Sequence, residues 1–412
     1  MLLEKFISLF HTELVTTIYQ AALSSAPVWV PLLFVFGWFS FYINYKRRKW
    51  IGEQDSVLLE IKIPREIFRS PQAMEMFLSS LHNASAGNLL KVYGEGSLRP
   101  WFSLEIASLG GEVHFYVWML SKFQSIVESQ LYAQFSNVEV HEVKDYAIDI
   151  HHDPSIRTFG WFGQLKLTKE DSYPIKTYVD YGLHEDPKEE YKNDPLVALL
   201  EFMGSLKKGE QAWVQVLIQG HTKEGLKLGR LITKPDWKKG VEKEIEEIVK
   251  KSKTKIGDEE KPIPLSKGQQ EIISAMERNM GRWPFDVMIR ATYFANIDIF
   301  NPTNNGGLLG SFRQFSSQTL NGFKPGWDAE YTYPWQDFRG AKKMRNQRRL
   351  LEAYKRRSFF NPPFKNFHGQ SFILTTEELA TIFHFPSHEV ASTPTLTRIP
   401  SKKAEAPSNL PI

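Results

Sequence analysis

The chain predicts an α+β protein behind one membrane span. Two patterns carry that prediction. A long uncharged apolar stretch near the N-terminus ends abruptly in a cationic run, and beyond it the spacing of apolar residues switches repeatedly between period 2 and period 3.6. The expected architecture is one N-terminal transmembrane helix, a ferredoxin-like βαββαβ module, a second, decorated α/β module and a Pro-rich C-terminal tail.

No charged residue stands between Glu13 and Lys46, and the silence ends in Lys46, Arg47, Arg48 and Lys49. Val28 to Ile43 is apolar and aromatic, and with its polar flanks it approaches the ~20 residues that a helix needs to cross ~30 Å of hydrocarbon. A secretory signal puts its positive charges before the apolar region, so the reversed order here favours a span at about 26–46. The positive-inside rule then keeps everything after Lys46 in the cytoplasm and the short N-terminus outside. The expected location is a single-pass inner, or cytoplasmic, membrane protein. Trp29, Trp38, Tyr42 and Tyr45 suit the headgroup levels. Residues 1–25 read as an extracytoplasmic or interfacial segment, with Phe6, Leu9, Phe10 and Leu14 at helical spacing.

The first soluble module spans 55–146. Val57 to Ile63 reads as a strand. A helical segment opens at Pro64, with Ser70-Pro71 as a second N-cap and first-turn pair and Ile67, Met74, Phe77, Leu78 and Leu81 at helix spacing. Phe102, Leu104 and Ile106 alternate with polar neighbours, Gly110-Gly111 makes a turn, and Val113, Phe115 and Val117 alternate on the way back, the pattern of a hairpin. Phe123 to Phe135 returns to helix spacing, and Val138 to Val143 is a last strand. The order βαββαβ is the split-βαβ arrangement.

A second module spans 155–300. Phe162 to Leu167, Tyr173 to Val179, Trp213 to Ile218 and Phe285 to Phe294 read as strands. Asp194-Pro195 caps a helix through Met203, residues 236–251 form a charged amphipathic helix, and Ser266 caps another to Met280. The polar insertion 252–265 reads as a mobile loop. Residues 301–386 hold aromatic loops, a basic helix and a closing helix at Glu377 to Phe383. Residues 387–412, with five prolines counting Pro386, have the composition of an extended linker. In the basic helix, Gly340 to Arg357, eight Lys or Arg face one acid, Glu352. Lys342, Lys343, Arg345, Arg348, Arg349 and Arg356 are candidate contacts for nucleic-acid phosphates or lipid headgroups. Against this stands the commoner role of a charge run, a solvated face paired with acidic neighbours.

Composition excludes several chemistries. The chain has no cysteine, so disulfides, cysteine-ligated metal and cysteine nucleophiles are absent. A net charge of +4 is too mild to announce nucleic-acid binding by itself. Gly204 to Gly209 has the glycine spacing of a phosphate loop, but Glu210-Gln211 replaces its Lys and Ser or Thr, and Gly94-Glu-Gly96 lacks the third glycine of a dinucleotide fingerprint. His151-His152-Asp153 has no second cluster at ligand spacing. Asn83-Ala84-Ser85 matches a glycosylation acceptor on the wrong side of the expected topology. No catalytic residue, cofactor or metal ligand is assigned.

The run from Phe372 to Pro386 (FILTTEELATIFHFP), with Thr393-Pro-Thr-Leu396 and a tail through Pro411, resembles a junction in bacterial type IV secretion and conjugation ATPases of the coupling-protein type. Ile61 to Pro71 and Arg99 to Ile106 also resemble the N-terminal, membrane-anchored region of such motors as it occurs in candidate bacterial phyla. In that family a Walker A loop would follow the junction, and here the sequence reaches Ile412 with none. The resemblance therefore implies a non-enzymatic module that anchors and positions a hexameric ATPase supplied in trans, with DNA and a second copy of the chain as further partners. A split or truncated gene, or a tail that docks on a partner, accounts for the ending equally well. The alternative is a membrane-tethered nucleic-acid-binding protein that uses the basic helix.

Overall fold

The structure, a computed structural model, describes residues 2–64, 69–184, 193–222, 236–251, 253–256, 259–262, 264–331 and 333–386. Helix α1 (Leu2–Gly52) runs unbroken through the apolar stretch and the cationic run. Within it, Val15–Gly52 is long and apolar enough to cross a membrane, and its most apolar part is not covered by the rest of the protein. Helix thus extends well beyond both ends of the expected span, into the interfacial segment and through the basic cluster.

Strand β1 (Ser56–Lys62), helix α2 (Pro71–Ser80), strands β2 (Trp101–Leu109) and β3 (Glu112–Leu120), helix α3 (Gln124–Gln134) and strand β4 (Glu139–Glu142) follow in the expected order. Residues 65–68, where the helical reading began, lie outside the described residues. Helix α2 starts where Ser70 accepts the Gln72 amide and Pro71 takes the first-turn position, and it buries Met74, Phe77 and Leu78. The β2–β3 turn needs its glycines. Gly111 has φ +95°, and a Cβ there would stand 2.3 Å from the Leu206 carbonyl.

The second module contributes β5 (Arg157–Leu167), α4 (Val197–Gly204), β6 (Glu210–Gly220), α5 (Trp237–Lys251), the hairpin β7 (Lys253–Ile256) and β8 (Glu259–Pro262), α6 (Lys267–Met280) and β9 (Pro284–Asn296), and it runs past the expected boundary at 300 to include α7 (Thr303–Ser311) and β10 (Phe323–Asp328). The chain then adds α8 (Ala341–Lys355), β11 (Phe372–Thr375) and α9 (Thr376–Ile382).

All the strands but the β7–β8 hairpin join one antiparallel sheet ordered β10-β5-β9-β6-β2-β3-β1-β4, with β11 beside β9. The first module supplies the order β4-β1-β3-β2. The second supplies its counterpart β10-β5-β9-β6, and β2 and β6 pair at the centre, so the sheet repeats itself about the β2–β6 boundary. On one face α2, α3, α4, α7 and α9 bury Met74, Val127, Met203, Leu308 and Leu379 against the apolar positions of the strands. On the other, α8 and the segment after it bury Leu350, Leu351, Tyr354 and Phe367 against Trp101, Trp213 and Phe294.

Three expectations are corrected. Tyr173 to Val179 alternates like a strand but forms none, because both neighbours of β5 in the sheet are already taken by β9 and β10. Three of its amides instead go to side chains, Ile175 N to Glu378, Thr177 N to Asp180 and Tyr178 N to the Thr381 hydroxyl, while Lys176 N goes to the Phe315 carbonyl outside any ladder. The insertion 252–265 contains the β7–β8 ladder rather than loop alone, since backbone pairing from Lys253↔Pro262 to Ile256↔Glu259 does not require apolar side chains. The expectation of aromatic loops beyond residue 300, drawn from a composition rich in Asn, Gly and Pro, misses strand β10, which contains Pro325. It is tolerated at the sheet edge, where the register shifts after Pro325.

Candidate anion-binding face

A row of polar side chains crosses the sheet beneath α8. Register places His141, Glu60, Tyr116, Glu105, Gln215, Arg290 and Gln164 at one level on seven successive strands. Alternation puts these side chains on the face opposite Leu104, Ile106, Val214 and Ile289. The middle of the row is fully buried, with Glu105, Gln215 and Arg290 at 0 % exposure.

That seam holds the covering segment by its backbone. Arg290 donates to the carbonyls of Ala353 (3.0 Å) and Ser358 (2.8 Å), Gln215 to that of Tyr354 (3.1 Å), and Gln164 to that of Phe367 (2.7 Å). The last carbonyls of a helix have no partner within it, so the sheet face caps the end of α8. Arg357 follows immediately with φ +47°, a left-handed position normally given to glycine at a helix C-terminus. Its side chain explains the exception. The guanidinium makes two 2.9 Å bonds to Glu105 and also pairs with Asp145, while Tyr146 donates to the same Glu105 carboxylate.

Electrostatics follow from this burial. Desolvation pulls Arg357 down, but Glu105 and Asp145 more than offset it and hold the group well above its ordinary value. Burial, with Glu105 adding to it, pushes Tyr146 and Tyr354 far up, so both stay neutral donors. Arg290 is pushed down to about 9 by burial and still carries its charge at neutral pH. Arg357 thus faces two carboxylates, Glu105 and Asp145, in the core between sheet and cover, whereas Arg290 is held there by Gln215 and by backbone carbonyls.

With its inner face fixed, α8 turns its cations outward. Asn346, Gln347, Leu350, Leu351 and Tyr354 are buried, whereas Lys342, Arg345, Arg348, Arg349 and Arg356 are exposed. The sequence candidates nevertheless divide. Lys343 is half-buried and pairs with Glu330 at 2.6 Å, and Arg356 lies 3.7 Å from Glu352. The Lys342 ammonium donates to the Gln336 carbonyl at 2.8 Å, and Arg349 stacks over Phe367 at 5.0 Å. Arg345 and Arg348 make no ion pair among the described residues. Arg357, counted in the same basic run, belongs to the buried seam.

An aromatic segment leads into this helix. Phe312, Phe315 and Phe323 are indeed buried, but Trp335 and Phe338 are 76 % and 77 % exposed and Tyr333 stacks on Trp335. Arg339 lies over the Phe338 ring at 5.7 Å, and exposed π-faces on the segment before a helix with outward arginines can stack on bases or planar groups while the cations hold anions.

The remaining motifs have structural roles. His152 bonds Gln347 at 2.9 Å and stacks on Phe159, and Asp153 accepts from the Ser155 amide and hydroxyl. Among the described residues no group of three His, Asp or Glu is arranged to hold a metal. Gly204 to Gly209 closes α4, and the Asn83 side chain accepts from the Ser85 amide in a turn. In the closing helix α9, Glu378 completes a capping box with Thr375 and also binds Ile175 N and Asn279, while Glu377 takes Arg278 and Arg282. Both carboxylates are buried, and burial pushes Glu378 up to about 7 against four donors that favour its charge.

The row Glu105–Gln215–Arg290 escaped the sequence reading although it was within reach. Each residue is the polar neighbour of an apolar alternation in a strand that was recognised, and only the pairing between modules lines them up.

The fold and these faces define an α+β protein with one N-terminal helix long and apolar enough to cross a membrane. Residues 47–398 match a family described as "Domain of unknown function (DUF8128)", and the chain belongs to that family. No curated protein matches the chain.

Proposed function

We propose that the protein is a non-catalytic, membrane-anchored module of a type IV secretion or conjugation-like DNA-transfer apparatus, which positions a hexameric ATPase supplied in trans at the inner membrane. The observation that carries this reading is the meeting of the segments that resemble such motors. Ile61 and Ile63 of the β1 end, Phe102, Leu104 and Ile106 of β2, and Leu379 and Phe385 around α9 share one core. Arg282 joins Glu75 of α2 to Glu377 of α9. The residues of the resemblance therefore form one packed unit, as expected of a module kept for its shape rather than for chemistry. In this reading the N-terminus lies outside and Lys46, Arg47, Arg48 and Lys49 hold the bulk of the chain in the cytoplasm. Purification of the full chain from its native membrane tests the role, through recovery of an ATPase with a Walker A motif.

The second reading, a membrane-tethered nucleic-acid-binding protein, is favoured by the outward Arg345 and Arg348 on α8 and by exposed Trp335 and Phe338 in the segment that precedes it. It requires the full chain to bind single-stranded DNA with a steep salt dependence and to lose that binding in R345A/R348A/R349A.

A further inference from the structure

We propose that residues 88–95 are a second membrane contact, a short interfacial helix that lies in the bilayer surface beside the inner end of α1 and locks the span to the sheet. The proposal rests on reading Val15–Gly52 as the span.

Residues 89–95 form a short helical segment capped at its start, where the Asn88 side chain accepts the Lys91 amide at 2.9 Å. The loop that carries it is closed on itself, with Ser97 N bonded to the Lys91 carbonyl and the Ser97 hydroxyl to that of Ala86. It is also fastened to α1. The Tyr93 ring stacks on Phe39 with centroids 6.0 Å apart, and Gly96, at φ +84°, lets the chain approach the α1 backbone so closely that a Cβ would stand 2.5 Å from the carbonyl carbon of Lys46.

Depth follows from these contacts. Phe39 precedes Lys46 by seven residues, or about 10 Å of helix axis, so Tyr93 meets α1 on the apolar side of the first cation. Leu89 and Leu90 stand one turn before Tyr93 on the same segment and are 74 % and 80 % exposed, more than any leucine described in α1 itself. Adjacent bare leucines on an ordered, closed loop are unfavourable in water and favourable against acyl chains. Exposed Lys91, together with Arg48 and Lys49 on α1, supplies cations for anionic headgroups at the same level. Continuity with the span selects the occupant: the bilayer that covers Phe36 and Phe41 reaches this loop without any further partner.

The test uses the absence of native cysteine. Full-length V35C, L89C, L90C and I126C, each labelled with an environment-sensitive fluorophore, are reconstituted in vesicles of zwitterionic and anionic phospholipid, with and without nitroxide-labelled acyl chains. Blue-shifted emission and nitroxide quenching at positions 35, 89 and 90, with neither at 126 on α3, is the expected result. Quenching at 35 with water-like emission at 89 and 90 would overturn the proposal and leave the span intact. A blue shift at 89 and 90 without quenching would also overturn it, since the leucines would then be covered by protein. No quenching at 35 would remove the span reading itself, and the proposal with it.

Discussion

Replacing Arg357 with glycine separates two opposed terms that this structure combines at one residue. The native side chain is 1 % exposed and bonds a Glu105 carboxylate that is itself 0 % exposed. Removing one partner of such a pair leaves an uncompensated buried charge, which costs about 3–5 kcal/mol. The backbone term has the opposite sign. Arg357 sits at φ +47°, a conformation that costs an L-residue roughly 1–2 kcal/mol and glycine almost nothing. R357G is therefore expected to lose about 1–4 kcal/mol, and R357A to lose about 1–2 kcal/mol more. Urea denaturation of the detergent-solubilised chain, followed by tryptophan fluorescence, reads both values. The double variant E105Q/R357G is expected to recover part of the loss, because the fully buried Glu105 charge is then removed and only the partly exposed Asp145 is left without its arginine. An R357G chain as stable as the native one would refute the assignment of Arg357 to the seam, and R357A equal to R357G would refute the backbone term.

Three further outcomes follow from the geometry. Glu378 has a folded pKa raised from 4.5 to about 7, so its contribution is fully present below pH 4.5 and is lost as the pH rises through 7. The difference amounts to about 3 kcal/mol, and E378Q should flatten this part of the stability–pH curve; an unchanged curve would contradict the shift. In G111A, the new Cβ meets the Leu206 carbonyl at a positive φ, so the stability read from urea denaturation should fall by more than the ordinary surface value of about 0.5 kcal/mol. R345E and R348E should each leave stability within about 0.5 kcal/mol, because both side chains point to solvent; a larger loss would show that α8 uses them for packing.

How far the residues announce this structure depends on whether the determinant is local. Ser70-Pro71, Gly110-Gly111 and the capping box at Ser266 act within four residues, and each element stands where they predict. Alternation in Phe102 to Ile106 and in Phe285 to Ile289 located central strands, but the same pattern at Tyr173 to Val179 misled, because a strand also needs a vacant edge. Strand β10 was hidden for the opposite reason, since an edge position tolerates Pro325. At the candidate face, charge counting found the helix but could not sort its cations. Lys343 and Arg357 differ from Arg345 only through Glu330, Glu105 and Asp145, residues distant from α8 in the chain or on a separate segment. The exposed Trp335 and Phe338 were indistinguishable in composition from the buried Phe312 and Phe315.

The proposed role as a positioning module is tested most directly by purifying the full chain from its native membrane in mild detergent and identifying what remains bound by mass spectrometry. A single Walker A ATPase, retained in near-stoichiometric amount, is the result expected of a membrane anchor for a separate motor. Folded protein recovered repeatedly without such an ATPase would contradict that role.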